Sequence, residues 1–63
     1  MKYRVDMVRT ERGVTIRGLA RKAQVSKSHI QRIEANEVNP SFEVMCRIAK
    51  ALKCEISELV CLH

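Results

Sequence analysis

Aromatic residues, proline and glycine are scarce in this chain of 63 residues. Tyr3 and Phe42 are its two aromatic residues, and it contains one proline and two glycines. No apolar run approaches the ~18 residues needed to cross a membrane, and the sequence contains no internal repeat, low-complexity tract or long linker. These absences argue against a membrane span and against several domains, and residues 1–63 are predicted to form one domain.

Cysteine is present, but not in the pattern of a secreted disulfide framework or a zinc site. Cys46, Cys54 and Cys61 are odd in number and form no Cys-x-x-Cys pair. Cys61 and His63 could supply two metal ligands, but no second pair has the required spacing, so we expect no metal and no cofactor. Without a signal peptide, the chain is expected to be cytoplasmic with reduced thiols. A redox role for Cys61 is left open.

The sequence also lacks the motifs of catalysis. It has no glycine-rich phosphate loop, no paired carboxylates placed for acid–base chemistry and no nucleophile elbow. A domain of this size has little room for a pocket that excludes water. We therefore expect a binding protein and not an enzyme.

Positive charge is abundant and unevenly distributed. The formal net charge is +5 and the pI is about 9.6. Residues 1–36 contain nine lysines and arginines and three acidic residues, whereas residues 37–63 contain three lysines and arginines and four acidic residues. This asymmetry favours polyanion binding by the first half, with the second half as a neutral scaffold.

Charged and aliphatic residues recur at steps of three and four, which predicts an all-α fold of five short helices. The predicted helices are Met1 or Lys2 to Arg12, Ile16–Ala23, Lys27–Ala35, Phe42–Leu52 and a short turn at Ser57–Val60. Thr15, Ser26 and Ser41 are the expected N-caps. Gly13 and Asn36 suit the left-handed conformation that often follows a helix. The fourth helix is expected to bury Phe42, Met45, Cys46, Ala49 and Leu52.

The segment TIRGLARKAQVSKSHIQRIE, residues 15–34, has the pattern of a helix-turn-helix, with the motif spanning about residues 15–35. Ala20 is small where the two helices should cross, and Val25 is apolar within the turn. Ile30 and Ile33 anchor the second helix to the core. Its polar residues therefore face outward.

These features resemble those of the Cro/CI repressor (XRE) helix-turn-helix family. The resemblance extends from about Val5 to Val60 and is carried by VRTERGVT, LARKAQVS, KSHIQRIEAN and NPSFEVMCRIAKAL followed by ISELV. It implies a compact lambda-repressor-like fold whose third helix enters the major groove of DNA. Cys46 and Cys54 stand where the family has Leu and Val, so we expect both to be buried as small hydrophobic residues.

The resemblance also implies roles for individual residues. Lys27, Ser28 and Arg32 match the positions that usually reach base edges, with His29 and Gln31 as secondary candidates. Arg32 could pair bidentately with guanine O6 and N7. The expected phosphate contacts are Thr15, Ile16, Arg17, Ser26, Asn36 and Arg9. Many family members carry Gln at the position of Ile16. Because isoleucine has no polar side-chain group, this chain lacks the side-chain phosphate contact that Gln would provide. An ordinary solvated helix face is the alternative for the polar residues of the third helix.

Arg9 and Glu34 match a family pair that joins the first helix to the end of the third. We expect a structural ion pair that orients the third helix, with two unrelated surface charges as the alternative. Lys53 stands where a Gly or Asn usually follows the fourth helix, so local strain is expected there. Gly18 lies inside the second helix, at a cost of roughly 1 kcal/mol relative to Ala.

Together these features predict a sequence-specific DNA-binding transcriptional regulator, a repressor that binds a palindromic operator as a homodimer. The expected dimer interface is the apolar tail, namely Ile56, Val60, Cys61 and Leu62. The alternative is a protein-interaction module of the same fold, an antitoxin or adaptor, that binds DNA weakly or not at all. The expected partners are thus double-stranded DNA and a second copy of the chain, with no membrane.

Overall fold

The computed structural model describes residues 2–61, which form four α-helices, a 3₁₀ turn and two short strands. In chain order they are β1 (Lys2–Tyr3), α1 (Val5–Glu11), α2 (Ile16–Ala23), α3 (Lys27–Glu34), α4 (Phe42–Leu52), the 3₁₀ turn (Ile56–Leu59) and β2 (Val60–Cys61). None of these helices has the length and apolar character needed to span a bilayer.

Three of the helices begin at the hydroxyl side chains that the sequence predicts. Thr15 Oγ1 accepts the backbone N–H of Gly18 at 3.0 Å, and Ser26 Oγ accepts that of His29 at 3.2 Å. Ser41 caps α4 in the same way, through Val44. Each hydroxyl satisfies a backbone donor that has no partner within its own helix, so these residues fix where α2, α3 and α4 start.

All four α-helices of residues 2–61 end in the same manner, with a residue in the left-handed region. These residues are Gly13, Gln24, Asn36 and Lys53, with φ between +56° and +67°. In each case the next N–H donates to a carbonyl five residues earlier, as Glu37 does to Arg32 at 2.9 Å. The expectations for Gly13, Asn36 and Lys53 are confirmed, whereas the conformation of Gln24 was not anticipated.

The core is made of aliphatic residues from every α-helix and the 3₁₀ turn. Its fully buried side chains are Val5, Leu19, Ile30, Ile33, Ile48, Leu52 and Leu59. Met45, Ala49 and Leu52 of α4 are buried as predicted, and Ile48 joins them. No side chain buried among residues 3–61 is polar or charged, so hydrophobic burial holds the bundle together.

The first and last described residues pair with each other, which the sequence analysis did not predict. β1 and β2 are antiparallel, with Lys2 opposite Cys61 and Tyr3 opposite Val60. The N–H of Arg4 also donates to the Leu59 carbonyl at 2.7 Å. The predicted start of the first helix at Met1 or Lys2 is therefore wrong, because residues 2 and 3 form a strand and α1 begins at Val5; Met1 itself lies outside the described residues. The predicted fifth helix at Ser57–Val60 is a 3₁₀ turn, and Val60 belongs to β2.

Phe42 and Cys46 are less buried than predicted. Phe42, the first residue of α4, is 75% exposed. Side chains tilt toward the start of their helix, so the ring at this position projects past the helix end and not onto a packed neighbour. Cys46 and Cys54 are only half-buried. Cys54 packs against the core cluster, as expected of a cysteine that replaces an apolar residue.

Candidate nucleic-acid interface

The turn between α2 and α3 sets the angle between the two helices. Gln24 adopts φ 57° and ψ 44°, which reverses the chain, and the N–H of Val25 donates to the Ala20 carbonyl at 3.1 Å. Val25 and Ala20 are both half-buried against the core, so the apolar turn residue fills the space beside the crossing. Each helix is tied to the core by two buried residues, Leu19 and Ala23 in α2 and Ile30 and Ile33 in α3.

The side of α3 away from Ile30 and Ile33 is polar and open to solvent. Its exposed residues are Lys27, Ser28, Gln31 and Arg32. At ~100° per residue these four occupy one arc of the helix. His29 lies at the edge of this arc and is half-buried, which makes it the least accessible of the five predicted base-reading residues.

Both cations on this arc are available to a ligand. The ion pairs among residues 2–61 involve Arg9, Arg12 and Arg47, so neither Lys27 nor Arg32 is neutralised by a described carboxylate. A polar, cationic helix face without internal partners can bind an anionic surface and donate hydrogen bonds to it.

The start of α2 lies next to this face in the motif and has backbone donors of its own. Thr15 uses its hydroxyl to cap Gly18, which leaves the N–H groups of Ile16 and Arg17 at the first turn, where the helix dipole favours an anion. Arg17 is exposed, whereas the Ile16 side chain packs against the core. Ile16 can therefore contribute through its backbone and Arg17 through both backbone and side chain.

The structure brings Arg9 and Glu34 together. Arg9 Nε lies 2.8 Å from Glu34 Oε2, and Arg9 Nη1 donates to the Val14 carbonyl at 2.9 Å. The two side chains are 17% and 11% exposed, so water screens this pair less than a surface pair. Arg9 thereby joins the end of α1, the loop before α2 and the end of α3. These contacts leave its guanidinium fewer free donors for the predicted phosphate contact.

Asn36, another predicted phosphate contact, is held by the first strand. Its Oδ1 accepts the backbone N–H of Tyr3 at 3.3 Å, and the Tyr3 hydroxyl donates to Asn39 Oδ1 at 3.3 Å. β1 thus contacts the loop that follows α3 at two points. The sequence analysis did not identify Tyr3 and Asn39 as partners, because they are 36 residues apart and no local pattern links residues at that separation.

Burial raises the pKa of the Cys54 thiol above its ordinary value of 9.0. The Glu58 carboxylate raises it further, and the Arg12 guanidinium acts in the opposite direction. A thiol protonated at neutral pH is a poor nucleophile and a poor metal ligand. Among residues 2–61, no three His, Cys, Asp or Glu side chains are grouped as metal ligands.

The residues predicted to form a dimer interface are only partly accessible. Ile56, Val60 and Cys61 are half-buried, and Val60 and Cys61 pair with β1 of the same chain. Arg4 Nη2 contacts Cys61 Sγ at 3.5 Å. Leu62, the fourth predicted residue, lies outside the described residues, as does His63.

Comparison with known proteins identifies the family. A family model described as helix-turn-helix matches residues 6–59. The chain therefore belongs to the XRE-type helix-turn-helix family, as its sequence pattern indicates.

Two relatives show how far the likeness extends. The immunity repressor protein of Bacillus phage phi105 is 37% identical over 57 residues, covering 90% of this chain and 40% of the phage protein. The chain thus spans less than half the length of that relative. The crystal structure of the restriction-modification controller protein C.AhdI from Aeromonas hydrophila matches with a TM-score of 0.86 at 28% identity, covering 90% of this chain and 86% of that chain.

Proposed function

We propose that this chain is a sequence-specific DNA-binding domain of a transcriptional regulator, with α3 inserted in the major groove. The observation that carries the proposal is the outward face of α3, where Lys27 and Arg32 are exposed and unpaired with any described carboxylate. The helix-turn-helix family, the phage repressor and the controller protein support the same assignment.

Within this proposal, the polar residues of the motif divide into two roles. Lys27, Ser28 and Arg32 read base edges, with Gln31 and the less accessible His29 in support. Thr15, Ile16 and Arg17 position the protein on a phosphate at the start of α2. Contacts to phosphate fix register without reading sequence, whereas contacts to bases discriminate. Ser26 and Asn36 add phosphate contacts at the two ends of α3.

We further propose that the domain represses transcription as a homodimer on a palindromic operator. One recognition helix reads too few base pairs for operator specificity, and two half-sites about one helical turn apart solve this problem. The tail at Ile56, Val60, Cys61 and Leu62 is the proposed interface. Its half-buried residues retain some apolar surface after β2 has paired with β1.

Two substitutions test the division of roles. DNA sites are selected from a random pool with the unchanged protein, and affinities of Arg32→Ala and Arg17→Ala are then measured on the selected site and its single-base variants. Arg32→Ala is expected to lose about 1–3 kcal/mol of discrimination at one position per half-site. Arg17→Ala should weaken binding to all sequences about equally. Equal, sequence-independent effects of both changes would contradict this assignment.

The dependence of binding on salt tests the wider proposal. If the protein contacts several phosphates, its affinity for random duplex DNA falls steeply as the salt concentration rises. Arg17→Ala should reduce the slope of log affinity against log salt concentration by about one. Affinity that is weak and insensitive to salt would instead favour the protein-interaction module. Sedimentation of the protein with and without operator DNA measures the dimer directly.

A further inference from the structure

A shallow groove lies between the end of α2 and the second half of α4. Its lining residues are Lys22, Ala23, Gln24, Arg47, Lys50 and Ala51, and its volume is about 230 Å³. That volume is below the roughly 300–1,000 Å³ of small-molecule sites. The groove therefore has room for side chains of a partner and not for an enclosed metabolite.

Three of the six lining residues are cationic and none is acidic. Arg47 is held across the groove, since its Nη1 contacts the Gln24 carbonyl at 3.5 Å. The nearest carboxylate in an ion pair is Glu43, whose Oε1 lies 3.7 Å from Arg47 Nη2. Glu43 is 73% exposed and does not line the groove. Glu43 pairs with Arg47 from outside the groove, whereas Lys22 and Lys50 have no ion pair with a described carboxylate, so the groove keeps an excess of positive charge.

The groove faces a different direction from the proposed DNA contacts. Lys22 and Arg17 are both on α2, but at ~100° per residue they point about 140° apart. Lys22 is likewise turned about 100° from its neighbour Arg21. A duplex lying against Arg17 and the outer face of α3 would leave the Lys22 side of α2 uncovered.

We propose that this groove docks a carboxylate-rich peptide segment of a partner protein. The three cations complement acidic side chains, and their arrangement sets the register of the segment. The methyl groups of Ala23 and Ala51 offer an apolar floor for the methylene groups of glutamate. Because the groove and the α3 face point in different directions, the protein can hold an acidic partner and DNA together.

An acetylated and amidated hexaglutamate peptide serves as the probe. The peptide is titrated into ¹⁵N-labelled protein at low salt, and amide shifts are mapped by two-dimensional NMR. We expect the largest shifts at residues 22–24 and 47–51. Lys22→Glu and Lys50→Glu are each expected to weaken peptide binding by about tenfold or more, because like charges then face each other. Circular dichroism verifies that each variant remains folded.

Arg21→Glu is the matched control, since it makes the same charge change on the same helix but on another side. Arg21→Glu should weaken peptide binding far less than Lys22→Glu does. Adding duplex DNA to the peptide complex should leave the peptide shifts in place. The proposal is overturned by an absence of binding, by shifts centred on α3, by equal effects of Arg21→Glu and Lys22→Glu, or by displacement of the peptide by duplex. None of these outcomes bears on whether the α3 face binds DNA in the absence of peptide.

Discussion

The helix-turn-helix unit, residues 15–37, and the terminal sheet of β1 and β2 are built by different means. In the unit, each helix is started by its own hydroxyl cap and ended by its own left-handed residue, within a few positions along the chain. In the terminal sheet, Lys2 and Tyr3 find their partners at Cys61 and Val60. The unit is therefore specified locally, and the sheet depends on the completed fold.

The two regions meet at the end of α3. Tyr3 contacts Asn36 and Asn39 in the loop after α3, while Arg9 of α1 holds Glu34 in its last turn. The end of α3 is thus fixed by distant segments, whereas Lys27, Ser28, Gln31 and Arg32 on its outer face remain exposed. The residues that orient the helix are different from those proposed to read bases.

The largest expected effect comes from breaking the Arg9–Glu34 pair. Glu34→Ala removes the carboxylate from a mostly buried guanidinium, and we expect a loss of about 2 kcal/mol, or roughly 10 °C in Tm, by thermal unfolding. Glu43→Ala is the matched control, because its 3.7 Å pair with Arg47 is exposed and should contribute under about 1 kcal/mol, the effect of its position in the first turn of α4 included. Equal losses in the two variants would show that Glu34 has no special role.

A smaller effect is expected from the cap of α3. Ser26→Ala should lower the free energy of unfolding by about 1 kcal/mol, because the His29 N–H loses its acceptor. Ser26→Asp keeps an acceptor and should be nearly as stable as the unchanged protein, yet it should bind DNA more weakly because a carboxylate would face phosphate. If Ser26→Asp binds DNA normally, Ser26 lies away from the backbone of the duplex.

The left-handed turn residue gives a prediction of opposite sign. Gln24→Gly should stabilise the protein by about 0.5–1 kcal/mol in chemical denaturation, since glycine adopts positive φ without the strain of a Cβ atom. Gln24→Ala retains a Cβ atom and should give no such gain. Lys53→Gly, at the end of α4, should behave like Gln24→Gly. Stabilisation by alanine as well as glycine would contradict the explanation from strain.

The contact between the terminal sheet and the unit has a still smaller expected effect. Asn36→Gly keeps the left-handed conformation but removes the acceptor of the Tyr3 N–H. Glycine relieves little strain at this position because asparagine already tolerates positive φ, so we expect a net loss of about 0.5 kcal/mol. Hydrogen exchange at the Tyr3 amide should become faster while exchange at Ile30 changes little. Unchanged protection at Tyr3 would mean that this bond does not hold the loop.

The smallest expected effect is a change of folding stability with pH, caused by the Cys54 thiol. Since the Cys54 pKa is raised on folding, the folded state keeps its proton at pH values where the unfolded state loses it. The resulting stabilisation is complete below about pH 9 and is lost as pH rises through the folded pKa. Denaturation between pH 8 and 10 should show a decline that Cys54→Val partly removes. The same decline in both proteins would assign it to other groups.

The residues with strong local preferences were predictable. Thr15, Ser26 and Ser41 start helices in any context that supplies the following turn, and Gly13 and Asn36 accept positive φ. The positions of Ile30 and Ile33 placed Lys27 and Arg32 on the opposite side of α3. The Arg9–Glu34 contact came from family resemblance, since the spacing of two charges 25 residues apart carries no such information.

What the sequence determined by itself was therefore the set of local elements and the polar, basic face of α3, because caps, helical periodicity and charge act over a few residues. Only the tertiary structure decided that residues 2 and 3 form a strand and that Phe42 has no packing partner in the core. It also placed Lys22 beside Arg47 and Lys50. These features depend on hydrogen bonds and packing between distant segments, and such partners exist only once the bundle has assembled.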